Sequence, residues 1–168
     1  MRTPFGLAVG CLRSLEKRMR QLISLMFCLC LAVTSSHASA PTSKFDEFYF
    51  RDCESLIARL DNFAVAVINY HQAVGLVYVY GGKVTRKGEG QMHMDVIRNY
   101  LIERRQVDGH RLRVLWGGYR EKAGAEIWIV PPGAAPPDPS PTLDQKDVLV
   151  AKQSAKRNAF RCANRPWK

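Results

Sequence analysis

Residues 56–80 read LIARLDNFAVAVINYHQAVGLVYVY, and the change of period inside this stretch decides the fold. Leu56, Leu60, Phe63, Ala64 and Val67 recur at three- and four-residue spacing, the stripe of a helix with one buried side. Asp52 is placed to cap its start, and Glu54 sits in a first turn that favours an acid. The helix is expected to end near His71, with Gly75 as its stop. Gly75 to Tyr80 then carries apolar β-formers at both parities, the pattern of a strand covered on both faces. Gly81-Gly82 breaks it.

Upstream, Phe45-Asp46-Glu47-Phe48 reads as a short strand or extended entry. Downstream, Lys83 to Gly90 (KVTRKGEG) reads as a basic, glycine-containing loop. A second helix follows, with Met92, Val96, Ile97, Tyr100 and Leu101 as its buried stripe and Arg104 and Arg105 in its last turn. In Arg111 to Trp116 (RLRVLW), Leu112, Val114 and Trp116 face one way. Arg111 and Arg113 face the other, toward solvent or a partner. Glu126 to Val130 (EIWIV) is the last strand, close enough to the previous one to pair with it as a hairpin. The order is β-α-β-α-β-β, and alternating elements of this kind pack as a helix-covered sheet. The expected fold is therefore α/β, an α+β sandwich with two helices on one mixed sheet.

The ends of the chain differ from this middle. Leu22 to Val33 (LISLMFCLCLAV) is an apolar run of about twelve residues after the basic stretch Arg13–Arg20. It is too short to span a bilayer as a helix and suits the core of a secretion signal. Ala38 and Ala40 supply small residues for cleavage, and translation from Met19 would also give a complete signal. Residues 1–40 are thus expected to be a signal peptide, 41–131 the folded domain, 132–143 a proline-rich linker and 144–168 a basic tail. The tail is expected to be disordered unless Val148-Leu149-Val150 adds a strand. Export implies a periplasmic or secreted protein with no transmembrane segment in the mature chain. Cys53 and Cys162 then remain as a candidate disulfide, with free or intermolecular thiols as the alternative.

Of the formal net charge of +10, residues 2–20 contribute +4, leaving +6 on the mature chain. A positive surface favours anionic partners, whether nucleic acid, lipid headgroups or acidic wall polymers. Lys83, Arg86 and Lys87 precede the second helix, whose start could receive an anion. Arg120 lies in the glycine-rich loop between the last two strands. Together with His93 these are the candidate ligand-binding residues. Tyr78, Tyr80, Trp116 and Trp128 lie in strands and read as core before they read as a stacking platform. Motifs for a nucleophile elbow, a P-loop, a dinucleotide fingerprint or a paired-cysteine metal site are absent from the sequence. No catalytic residue, metal site or cofactor is expected, and nucleic acid is not the expected partner.

Three segments give the chain a family likeness: FDEF followed by a helix with LDNFAVAV, then GLVYVYGG, then VIRNYLIERRQVDGHRLRV. In this order, over roughly residues 45–131, they resemble the OmpA-like C-terminal domain family of bacterial envelopes. The resemblance implies a non-catalytic envelope domain, with peptidoglycan or another envelope protein as partner. It also implies a wall-binding aspartate at the position of Val84 and an arginine at the position of His93. Valine supplies neither charge nor acceptor, and neutral histidine cannot grip a carboxylate with two prongs. The scaffold would then outlive its usual binding pair. The alternative is a secreted polyanion-binding protein that uses the basic loop and tail.

Overall fold

The computed structural model describes Arg20 and residues 40–154. Apart from Arg20 and Ala40, the expected signal peptide and cleavage region lie outside the described residues, as does Cys162. Six strands and two helices follow in the order β1 (Ser43–Tyr49), α1 (Cys53–Asn69), β2 (Val74–Gly81), β3 (Val84–Lys87), α2 (Glu89–Asn99), β4 (Leu112–Tyr119), β5 (Gly124–Val130) and β6 (Leu149–Ser154). Four strands form one sheet in the order β1-β5-β2-β4, and β3 and β6 form a separate two-stranded sheet. β2 and β4 run parallel, whereas β5 is antiparallel to both β1 and β2. The class is thus α+β, with two helices on a mixed sheet.

α1 forms as its spacing requires. The Asp52 carboxylate accepts the Ser55 N–H at 2.8 Å, satisfying one of the orphan donors at the helix start. Leu56, Leu60, Phe63, Ala64 and Val67 are all buried, against the sheet face that carries Val77, Val79, Val114, Ala125 and Ile127. Every residue of β2 from Gly75 onward is buried, because helices cover one face and a later segment covers the other.

The C-terminal end of α1 has no basic residue in its last turn. Arg111, expected to face solvent or a partner, supplies the missing charge from a distance. Its guanidinium donates to the carbonyls of Ala73 (3.0 Å), Tyr70 (2.8 Å) and Val67. Val67 O is one of the carbonyls a helix end leaves unsatisfied, and the cation also complements the dipole.

α2 buries Ile97, Tyr100 and Leu101 of the expected stripe, but His93 takes the place of Met92 and Val96. His93 and Ile97 are buried, followed by Tyr100 and Leu101 in a π turn over Tyr100–Arg104, while Met92 and Val96 are only half-buried. A count of apolar residues passes over a buried histidine. Arg105 closes this turn onto α1: it pairs with Asp61, whose carboxylate also accepts the Tyr100 hydroxyl.

β4 and β5 do not form the expected hairpin, since β2 lies between them. Two strand spacings are about 10 Å, which the four-residue connection 120–123 spans. It crosses the end of β2, where Arg120 N–H donates to Gly81 O at 2.9 Å, and reaches β1, where Ala123 O accepts Phe50 N–H at 3.0 Å.

The proline-rich segment is not a spacer. It lies across the second face of the sheet. The Tyr78 hydroxyl donates to Pro137 O at 2.8 Å, Ser140 N–H donates to the Tyr80 hydroxyl at 3.0 Å, and the Thr42 hydroxyl donates to Ala135 O at 2.8 Å. Pro141 rests on Gly118, where an added Cβ would fall 2.8 Å from the proline ring. Gly118 also has φ 100, a left-handed backbone that glycine adopts without strain. This strap carries the chain back to β3, which pairs in parallel with β6. Val148-Leu149-Val150 thus adds a strand rather than belonging to a disordered tail, and part of the expected basic loop is itself strand.

Candidate functional site

The described residues hold two concentrations of charge with different chemistry. The first is a hydrogen-bonded cluster on the strapped face of the sheet, at the floor of a hollow of about 400 Å³. Glu126 is 1% exposed, yet it sits in β5 among the apolar residues of EIWIV. Its carboxylate accepts from Lys44 at 2.7 Å, the Tyr80 hydroxyl at 2.7 Å and Arg120 at 2.9 Å, with the Ser140 hydroxyl 3.3 Å away. Burial pushes this carboxyl up, but the hydrogen bonds from Lys44, Tyr80 and Arg120 outweigh it and hold it at about 2. Arg120 stacks on the Tyr80 ring at 3.7 Å and bonds Ser140 O and Glu47. Arg120, a candidate ligand residue, is therefore committed to internal partners. The cluster joins β1, β2, β5 and the strap.

The second concentration is open. A groove of about 470 Å³ runs between the β3–α2 corner and the end of β4. Trp116 and Tyr119 form its aromatic wall, packed edge to face at 5.2 Å. Trp116 is 39% exposed. The ring lies against Gly90 in the first turn of α2, where an added Cβ would fall 2.3 Å from Cζ3, so only glycine permits this approach. Arg86 and Lys87, both exposed, line the opposite side, and Gln91 offers an amide. Glu89 holds the corner in shape: its carboxylate accepts Arg86 N–H at 2.8 Å and the Thr85 hydroxyl at 3.1 Å. The anion expected at the helix start therefore meets the chain's own carboxylate. What lines the groove is a partly exposed indole together with two exposed cations.

The five candidate residues fall in three places. Arg86 and Lys87 share the groove. Lys83 lies outside it, paired with Glu121 at 3.3 Å. Arg120 belongs to the Glu126 cluster. His93 is 3% exposed and packs on Phe50 with ring centroids 4.2 Å apart. Burial lowers its pKa to about 4, with the charge of Glu89 opposing, so it is neutral at pH 7. His71 and His110 are exposed. Val84, at the place of the aspartate that the resemblance implies, is 68% exposed on β3.

Trp116 was read as core together with Tyr78, Tyr80 and Trp128, and it is the one of the four that is exposed. Alternation put it beside Leu112 and Val114, on the side the helices cover. It is on that side, but at the strand end, where the pairing with β2 shifts register so that Val79 faces Trp116 and Tyr80 faces Gly118. The glycines on either side of this bulge, and Gly90 across from it, were the available signal: bulges and small residues open room for a large side chain at a site.

No helix among the described residues is long and apolar enough to cross a membrane. No family model matches the chain, and no curated protein matches it.

Proposed function

We propose that the chain is an exported, non-catalytic binding domain of the cell envelope that holds wall polymer in the groove of Trp116, Arg86 and Lys87. The observation that carries this reading is the open pairing of one aromatic face with two cations. An indole face stacks on the apolar face of a sugar ring, and guanidinium and ammonium groups meet carboxylates by charge-assisted hydrogen bonds. Wall glycans and their acidic peptides present both. The apolar leader after a basic stretch supports export, and the two-layer domain is compatible with the OmpA-like resemblance. The wall-gripping pair of that family has no counterpart in Val84 and His93, so the contact moves to the other side of the β3–α2 corner. A bond between Cys53, the first residue of α1, and Cys162 belongs to the same reading, because an oxidising compartment would form it.

The test is retention on purified peptidoglycan sacculi. The mature chain is expected to co-sediment with them. The double variant Arg86→Ala/Lys87→Ala is expected to bind about a hundredfold more weakly, since each charge-assisted bond contributes about 1.5 kcal/mol. Both side chains are exposed, so thermal stability should hold. Absence of wild-type retention, or equal retention of the variant, refutes the reading.

A further inference from the structure

The β3–β6 ribbon carries a surface that the groove does not use. In a parallel pair, opposed residues share a face. Val84 stands opposite Leu149, and Arg86 opposite Ala151. Val84 is 68% and Leu149 64% exposed, so two aliphatic side chains stand side by side in water. Tyr49, 46% exposed, lines the same hollow as Val84. Two cations, Lys83 and Lys122, border these tips in the hollow. The acid beside them, Glu121, is paired to Lys83. β6 leads directly into residues 155–168, which contain five basic residues, no acid, and the aromatics Phe160 and Trp167.

We propose that this ribbon face docks the domain on an anionic lipid surface. Apolar tips ringed by cations are the chemistry of peripheral membrane contact: the tips enter the headgroup layer and the charges meet the phosphates. Clustered lysine and arginine beside such a contact adds attraction that falls off within a Debye length. Neither an acidic protein groove nor a soluble polyanion accounts for both aliphatic side chains. The wall-binding groove lies on the Val150 side of the ribbon, so the two contacts are separable.

The experiment is co-sedimentation of the mature chain with phosphatidylglycerol vesicles and with phosphatidylcholine vesicles. Binding to the first and not the second is expected, weakening as salt rises. Val84→Ser/Leu149→Ser leaves every charge in place and removes the tips, and it is expected to lower the affinity about tenfold or more. Both positions are exposed, so the circular-dichroism melt should match wild type, and sacculus retention should be unchanged. Failure to pellet with phosphatidylglycerol overturns the proposal, as does equal pelleting of the double variant. Capture on heparin without vesicle binding would also overturn it, assigning the basic face to a soluble polyanion.

Discussion

Glu126→Ala is expected to lower the unfolding free energy by about 3 to 5 kcal/mol, the cost of removing one partner from a buried ion pair. The variant leaves Arg120, whose side chain is 13% exposed, without its main counterion, and Lys44 with Glu47 alone. It also removes the acceptor of the Tyr80 hydroxyl. Because Ser140 of the strap touches both Glu126 and Tyr80, the strap should loosen with the cluster. A fall in urea midpoint together with faster exchange of the Ser140 amide is the expected pair of results. A stability loss under 1 kcal/mol would mean that the cluster contributes little. The charge also sets an acid limit. The folded pKa of about 2 lies below the ordinary 4.5, so this stabilisation is complete above pH 4.5 and is lost as pH falls toward 2.

A second acid step is expected earlier, from His93. Its folded pKa is about 4 against an ordinary 6.5, because burial against Phe50 disfavours the imidazolium. Between these values the unfolded chain binds a proton that the folded chain does not. Stability therefore rises with pH through this window and is complete above pH 6.5. A shift of this size corresponds to about 3 kcal/mol lost between pH 6.5 and pH 4. Urea unfolding across that range should show the slope in the wild type and a nearly flat line in His93→Leu. An identical slope in the variant would move the step to another group. The two steps are separable because they occupy different pH windows.

The strength of the sequence reading followed the range of the interactions involved. α1 and β2 were legible because a periodic stripe and a dense β run are local patterns. The order of strands was not. Chain proximity suggests that β4 and β5 pair, but β5 gains more by entering between β1 and β2, where both its edges are bonded and nearly all its side chains are buried. The strap was hidden for a similar reason: prolines cannot join a ladder, yet Pro137 still offers a carbonyl, and Tyr78 reaches it across 59 positions. Glu126 looked like the polar start of a strand because its partners, Lys44 and Arg120, are assembled only by the fold. At the site, Arg86 and Lys87 were legible as exposed charge. Trp116 was not, since its exposure depends on a bulge and on Gly90 from another element. His93 was read as a position where a ligand could be touched, whereas it is buried one turn before Ile97 on the face of α2 that packs on the core.

The claim on which the functional account rests is that the chain meets its target at Trp116 with Arg86 and Lys87. The direct test is a two-dimensional amide spectrum of the labelled mature chain, titrated with soluble glycan–peptide fragments of peptidoglycan, the Trp116 indole signal being assigned with Trp116→Phe. The account predicts a saturable shift of the Trp116 indole and of the Arg86 and Lys87 amides, while the Trp128 indole, in β5 on the strapped face, stays in place. Shifts confined to other surfaces, or none from a protein that is still retained on sacculi, would contradict it.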